Sequence, residues 1–179
     1  MKTVFKLKAL TFFVCALFVS TVAFGQMNNK APLSPRDSVS GTIKDATIKI
    51  NYSAPSVRNR KIFGGLQPYG KIWRAGANQM TTFETSKDIK VEGKTLPAGK
   101  YSLFATPGET EWTIIFNSVT NAWGIKRGGV ANDDPAKDVL VVKVKPKALG
   151  TPVERLTYKI DNKGFSLIWE NTEVHVKVK

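Results

Sequence analysis

Positively charged side chains are concentrated in one stretch of the chain. The 38 residues from Ala46 to Phe83 contain six lysines and arginines and no aspartate or glutamate. The six cations are Lys49, Arg58, Arg60, Lys61, Lys71 and Arg74. Phe63, Tyr69 and Trp73 lie among them. Arginine forms bidentate hydrogen bonds with carboxylate and phosphate oxygens, and aromatic faces stack on sugar rings or bases. This composition suits an acidic saccharide, a phosphorylated head group or a nucleotide.

A structural role for the same residues is an open alternative. Arginine stacks over tryptophan and tyrosine rings as an ordinary cation–π cap. It also pairs with acids, and Asp133 and Asp134 of a second long segment are available for this. The candidate ligand-binding residues are Arg58, Arg60, Lys61, Tyr69, Lys71, Trp73, Arg74, Asn78 and Trp123.

Residue counts exclude most metal, thiol and histidine chemistry. The chain has one cysteine, Cys15, and one histidine, His175, so His/Cys zinc clusters and cysteine nucleophiles are ruled out once Cys15 is removed. The run 132–134 lacks the alternating oxygen ligands of a calcium loop. Two carboxylates about 5–9 Å apart are enough for glycoside hydrolysis, but the spacing of acids such as Glu109 and Glu111 assigns no pair. We therefore assign no catalytic residue, and we predict no metal site and no cofactor.

Residues 1–25 have the pattern of a secretory signal peptide. Three lysines precede an apolar run of 16 residues, Ala9–Phe24, and Ala23 and Gly25 are small residues at the cleavage positions. The run is shorter than the roughly 20 residues that a membrane span needs. We expect cleavage before Gln26, export to the periplasm or the medium, and a mature chain without a transmembrane segment.

The mature chain is strongly basic. Residues 26–179 carry a formal charge of +10, because the first 25 residues contain three of the 27 basic residues and none of the 14 acids. An exported basic protein meets anionic glycans and lipid head groups. Exposed lysines also keep strand edges from pairing with other molecules, so the charge alone does not identify a partner. Residues 26–36 are polar, contain Pro32 and Pro35, and are predicted to form a flexible lead-in.

Two-residue alternation of apolar and polar side chains dominates residues 37–179. Ile48, Ile50 and Tyr52 alternate with polar residues, and no window shows a convincing helical stripe. We predict one antiparallel all-β domain, a sandwich or a barrel-like fold, with nine to ten short strands. The predicted strands lie near residues 38–43, 47–52, 80–86, 89–92, 101–106, 112–117, 139–145, 155–160, 165–169 and 174–178.

Two stretches interrupt the alternation. Residues 54–79 and 118–137 are longer than ordinary loops, yet they contain large apolar residues, including Trp73 in the first and Trp123 in the second. We expect both to pack on the sheets as ordered caps. Trp112 and Trp169 alternate with polar or smaller residues and are predicted to point into the core.

Several segments together resemble one known family. These are Tyr52–Val57, Gly70–Asn78, Leu96–Leu103 and Trp112–Asn117. On them the chain resembles domain-of-unknown-function family 2911, a family of exported bacterial proteins, over residues 34–179. The resemblance implies an exported bacterial domain. The family has no assigned activity, so the resemblance transfers no catalytic residue.

Three functions are compatible with these observations. The first is a non-enzymatic binding or scaffolding module of the cell envelope, acting through the basic loop on an anionic glycan or lipid head group. The second is a carbohydrate-active enzyme that uses carboxylates on a β-sandwich. The third, a nucleic-acid binder, has the charge but lacks a recognised module. We expect the first, and the sequence predicts no oligomeric state.

Overall fold

Ten strands and one short 3-10 helix, Pro135–Lys137, form the regular structure of residues 32–179, the range that the computed structural model describes. In this range no helix is long and apolar enough to cross a bilayer. The strands are β1 (Arg36–Ile43), β2 (Ala46–Ser53), β3 (Thr82–Thr85), β4 (Ile89–Val91), β5 (Lys94–Leu96), β6 (Gly99–Thr106), β7 (Trp112–Asn117), β8 (Asp138–Val144), β9 (Pro146–Asp161) and β10 (Gly164–Lys177).

The strands form antiparallel sheets arranged like a sandwich. One sheet has six strands in the order β1-β2-β3-β6-β7-β8, and the long β9–β10 hairpin and the short β4–β5 hairpin form two others. Apolar residues of all three contribute to one core. No closed barrel is formed by residues 32–179. The predicted all-β antiparallel fold is confirmed, and the arrangement of its sheets is sandwich-like.

The alternation along β2 shows why the main sheet has a dry and a wet face. Ile48, Ile50 and Tyr52 are at most 2% exposed, whereas Thr47 and Lys49, which alternate with them, are exposed. Successive side chains of a strand point to opposite faces, so the apolar set of β2 faces the core. The other set forms the outer face of the six-stranded sheet.

The last hairpin is longer than the pattern predicts. Residues 165–169 and 174–178 were expected as separate strands, but β10 is one strand whose register shifts around Glu170, where φ is 53°. β9 begins at Pro146, nine residues before the predicted strand at 155–160. Proline interrupts the sequence pattern of a strand, but it is tolerated at the first position of one. The pattern therefore predicts a strand that is shorter than β9.

The two predicted core tryptophans are buried. Trp112 is 1% exposed and Trp169 is 0% exposed. The ring of Phe63 lies 4.7 Å from Trp112, and the ring of Trp73 stacks on Trp169 at 5.7 Å. The long loop 54–79 therefore completes the core rather than covering it loosely, which confirms that it is an ordered cap.

The second long loop packs on the opposite side of the six-stranded sheet. A small apolar cluster there contains Phe104 and Ile115 from the sheet, Met80, and Ala131 from the loop. The loop 118–137 is thus also an ordered cap. The predicted signal peptide, residues 1–25, and residues 26–31 of the predicted lead-in lie outside the described residues, and β1 already begins at Arg36.

Candidate functional site

The backbone of loop 54–79 is attached to the edge of β6 just before Arg74. Trp73 and Ala105 exchange two backbone hydrogen bonds of 2.7 and 2.8 Å. Side chains alternate along such a paired segment, so Trp73 enters the core while Ile72 packs on the outer-face cluster. Arg74 follows directly and is half-buried. The pairing with β6 therefore determines where its guanidinium lies.

Two buried hydroxyl groups hold the next residue in a strained conformation. Ala75 has a φ of 49°, a region that residues other than glycine rarely adopt. Its carbonyl accepts hydrogen bonds from the hydroxyls of Tyr158 (2.8 Å) and Thr81 (3.1 Å). Burial raises the pKa of Tyr158 well above its usual value, so its hydroxyl stays protonated and donates. Strained residues cluster at functional sites, and this one fixes the backbone beside Arg74.

Arg58 and Arg60 lie at the start of the same loop. Arg58 also has a positive φ, 51°, and its Nη2 donates to the carbonyl of Leu33 at 2.9 Å. Arg60 donates from Nε to the carbonyl of Val57 and from Nη2 to that of Ser56, at 2.9 and 2.7 Å. Backbone carbonyls orient both guanidinium groups and leave their charges without a carboxylate partner.

These three arginines line one pocket, which we call the arginine pocket. Its volume is about 240 Å³, and its lining includes Ser34, Arg58, Arg60, Gln67, Arg74 and Trp169. No aspartate or glutamate is among its lining residues. Two of the lining residues have a buried nitrogen, Nε of Arg74 and Nε1 of Trp169, that has no hydrogen-bond partner among the described residues. Buried polar groups without partners are uncommon in folded proteins, and Ser53 and Asp133 contribute the other two among the described residues.

The electrostatics of the pocket favour an anion. In residues 32–179 the ion pairs are Lys87–Asp45 and Lys143–Glu111, and neither includes a pocket arginine. Burial lowers the pKa of Arg74, but a guanidinium is not deprotonated in proteins. Its charge therefore remains, partly desolvated and without a carboxylate.

The carboxylates near this loop are already occupied. Oε1 of Glu154 accepts from the backbone N–H of Arg58 at 3.0 Å, and Oε1 of Glu170 accepts from that of Ile62 at 3.3 Å. Asp133 and Asp134, the acids considered as partners for Arg74, form no ion pair with it. An ion pair between Arg74 and an acid of the second long loop, one form of the structural role considered for these arginines, is therefore not observed.

The remaining residues predicted from the basic loop are dispersed. Trp73 is 3% exposed, and its Nε1 donates to the carbonyl of Gly76 at 2.9 Å, so it supports the pocket from inside the core. Lys61 and Lys71 are exposed and do not line the arginine pocket. Tyr69 lines a different groove, with Phe63 and Trp112.

Asn78 and Trp123 are linked to the pocket without lining it. Asn78 donates from Nδ2 to the backbone carbonyl of Ser34 at 3.2 Å, and the backbone carbonyl of Asn78 accepts from the N–H of Gly124. Gly124 packs against Arg74, since a Cβ placed there would lie 2.1 Å from Cδ of the arginine. Trp123 is 53% exposed and lines a separate pocket on the outer face of the sheet.

A serine, a glutamate and a histidine within residues 32–179 lie close together but do not have the geometry of a catalytic triad. The Ser166 hydroxyl donates to Oε1 of Glu173 at 2.8 Å and lies 3.0 Å from Nδ1 of His175. In a catalytic triad the histidine stands between the serine and the acid, whereas here the serine stands between the other two. His175 is half-buried.

Asp133 is a half-buried acid in the second long loop. Burial raises its pKa, and the neighbouring Asp138 adds to the effect. Among residues 32–179 no group of three or more histidine, cysteine, aspartate or glutamate side chains is arranged to hold a metal ion. Ser34, Gln67 and Trp169 at the arginine pocket were not predicted. Ser34 lies outside the basic loop, Gln67 lies within it but carries no charge, and Trp169 was assigned to the core.

The fold and the site together define a basic, sandwich-like all-β domain with a pocket lined by arginines. The model of one family, described as protein of unknown function (DUF2911), matches residues 34–178. The chain therefore belongs to this family, and the resemblance noted on its sequence motifs is confirmed. No curated protein and no solved structure shows significant similarity to the chain.

Proposed function

We propose that this protein is an exported, non-enzymatic binding module of the bacterial cell envelope that holds an anionic group in the arginine pocket. The observation that carries the proposal is the convergence of Arg58, Arg60 and Arg74 on one pocket that no carboxylate lines. Two of its lining residues, Arg74 and Trp169, also have buried donors without partners among the described residues. Leaving a buried donor unsatisfied costs about 1–3 kcal/mol. An oxyanion that accepts from either group removes that part of the cost, and Arg58 and Arg60 supply further positive charge.

The size of the pocket suits one charged group rather than a whole ligand. Its volume of about 240 Å³ is below the roughly 300–1,000 Å³ of typical small-molecule sites. A phosphate, sulfate or carboxylate group fits this description, with the rest of its molecule outside the pocket. Anionic glycans and lipid head groups of the envelope both carry such groups, and the signal-peptide pattern of residues 1–25 supports export to that compartment.

No specific observation favours the enzymatic alternative. Glu92 and Glu111 share one cleft, as a carboxylate pair must. However, Oε1 of Glu92 accepts from the backbone N–H of Lys177 at 2.6 Å, and Oε1 of Glu111 pairs with Nζ of Lys143 at 2.6 Å. Both carboxylates are therefore engaged in contacts that hold strands and side chains in place.

The proposal is tested by titrating ¹⁵N-labelled protein with phosphate, sulfate and acetate at low ionic strength. The four tryptophan side chains give four indole N–H signals. We expect the Trp169 signal and the Arg74 Nε–H signal to shift with a saturable dependence on at least one anion. Raising the salt concentration should weaken the response, because solvent-exposed charges are screened beyond about 8 Å at physiological ionic strength.

Matched variants separate this site from the general basic charge. Arg74→Gln and Arg60→Gln should each lower the affinity for the anion about tenfold or more, which is the loss typical of a charged hydrogen bond. Lys71→Gln removes the same charge from an exposed position outside the pocket and should leave the titration unchanged. Equal losses in all three variants, or no saturable shift of the Trp169 signal, would contradict the proposal.

A further inference from the structure

A larger cavity lies on the outer face of the six-stranded sheet, and we call it the outer pocket. Its volume is about 520 Å³, within the roughly 300–1,000 Å³ range of small-molecule sites. Asn51 of β2, Thr82 of β3 and Lys100 of β6 form its floor, and Arg36 and the segment 120–123 contribute to its walls. The arginine pocket shares none of these residues, so the outer pocket is a separate site.

The wall of the outer pocket presents an exposed indole on a fixed backbone. Trp123 is 53% exposed, whereas Trp73, Trp112 and Trp169 are 3%, 1% and 0% exposed. Its carbonyl accepts from Nδ2 of Asn132 at 2.9 Å, and its backbone forms an isolated bridge with Gln79. A tryptophan held in this way offers a flat apolar surface with little conformational entropy left to lose on binding.

The polar groups around this indole are those that bind hydroxyl and carboxylate oxygens. Amide and hydroxyl side chains line the pocket, and its only charged lining residues are the cations Arg36 and Lys100. Arg36 donates from Nη1 to Oε1 of Gln79, which leaves most of its five N–H donors free. Neither cation forms an ion pair within residues 32–179. The neutral hydrogen-bonding residues are Asn51, Gln79, Thr82, Thr120 and Asn121.

We propose that the outer pocket binds an acidic saccharide that contains a uronic acid. The apolar C–H face of the sugar ring stacks on Trp123. The ring hydroxyls exchange hydrogen bonds with the amides and hydroxyls of the pocket, which act as both donors and acceptors. The carboxylate lies against Arg36 and Lys100, where charge-assisted hydrogen bonds form.

A nucleic-acid strand fits the same pocket less well. Single-strand binding sites use several aromatic side chains along a basic groove, one for each stacked base. The outer pocket has one aromatic residue, Trp123, and five neutral hydrogen-bonding residues. This ratio matches a ring with many hydroxyl groups better than a series of bases.

Tryptophan fluorescence provides a direct measurement, because Trp123 is the one exposed indole of the four. Acrylamide quenches exposed indoles preferentially, so quenching of the native protein reports mainly on this residue. We expect a galacturonic acid trimer to protect the protein from quenching in a saturable manner. The neutral galactose trimer should bind about tenfold or more weakly, because it lacks the charge-assisted contacts.

Variants assign the binding to the pocket. In isothermal titration with the galacturonic acid trimer, Trp123→Ala should lose about tenfold or more in affinity, as should Lys100→Gln. Val130→Ala, at a position 61% exposed in the same loop, and Lys159→Gln, on an exposed part of β9, serve as controls and should bind as the wild type does. Circular dichroism spectra identical to the wild-type spectrum show that each variant is folded.

Several outcomes overturn the proposal. Equal affinity for the neutral and acidic trimers refutes an acidic saccharide as the ligand. Tighter binding of a short single-stranded oligonucleotide would show that the outer pocket binds nucleic acid instead. Absence of saturable protection at low salt refutes a saccharide site altogether. These measurements do not depend on the arginine pocket, whose indole, Trp169, is buried and is followed by its own signal.

Discussion

Replacing Arg74 by methionine should make the protein more stable and remove its affinity for anions. Arg74 is half-buried, its Nε has no partner, and burial lowers its pKa. Methionine keeps an unbranched apolar stem, so contact with Gly124 is retained. An unsatisfied buried donor costs about 1–3 kcal/mol, and solvent reaches part of this side chain, so we discount the gain to about 1 kcal/mol. For a domain of this size that raises Tm by about 3 °C.

The order of stability should reverse when the anion is present. A ligand at 100 times its Kd stabilises the native state by about 2.7 kcal/mol, and only the wild type should gain this. Phosphate and sulfate also stabilise proteins without binding to a site. That contribution acts on wild type and Arg74→Met alike, so the difference between their melting curves isolates the specific effect.

The assay is a pair of guanidinium chloride titrations, without and with phosphate at millimolar concentration, on wild type, Arg74→Met and Arg74→Lys. Lysine keeps the charge but loses the planar fork of donors, so Arg74→Lys should bind phosphate more weakly than the wild type. If Arg74→Met is less stable than the wild type by 1 kcal/mol or more in the absence of phosphate, Arg74 is a structural cap. The reasoning about its unpaired charge would then be wrong.

Three further predictions concern the core, the buried tyrosines and export. Trp112→Ala should lower the free energy of unfolding by about 3–5 kcal/mol in a denaturant titration, whereas Trp123→Ala should change it by about 0.5 kcal/mol or less; similar losses in both would contradict the assigned burial. Burial raises the pKa of Tyr52 from 10.0 to about 12 and that of Tyr158 well above 10.0, so the folded state favours the neutral phenols. The free energy of unfolding should therefore keep its full value below about pH 10 and decrease as the pH rises towards 12. Tyr52→Phe should reduce that decrease, and an unchanged alkaline profile would argue against this origin. Protein from the native host should begin at Gln26, without a lipid, by intact mass; a retained N-terminus or an acyl increment would exclude this cleavage.

Most of the fold follows from local pattern. The alternation of Ile48, Ile50 and Tyr52 with exposed residues correctly places β2, because a strand with one dry face must bury every second side chain. The hairpin β9–β10 is the exception. Its extension from Pro146 to Val153 has mostly exposed side chains and contains prolines, and pairing with β10 supports it instead of burial. A pattern of buried residues cannot reveal a strand that is held by backbone hydrogen bonds alone.

The candidate site was only partly predictable. The chain composition identifies loop 54–79 as a ligand-binding candidate, and three of its arginines do meet in one pocket. Composition does not distinguish Trp73 from Trp123, since both are aromatic residues in long basic or polar loops. The difference comes from backbone pairing, because the exchange of hydrogen bonds with Ala105 turns Trp73 into the core.

The sequence by itself determines the secondary structure class, the long loops, the excess of positive charge and the scarcity of histidine and cysteine, with one residue of each. These properties depend on residue types and on periodicities of a few residues, which are local. Only the tertiary structure decides which residues share a pocket. Arg36 and Lys100 are 64 positions apart in the chain and line one cavity, and Trp169 joins Arg58 although 111 positions separate them. Such meetings depend on the order of strands in the sheets and on the packing of the loops, and no local pattern contains that information.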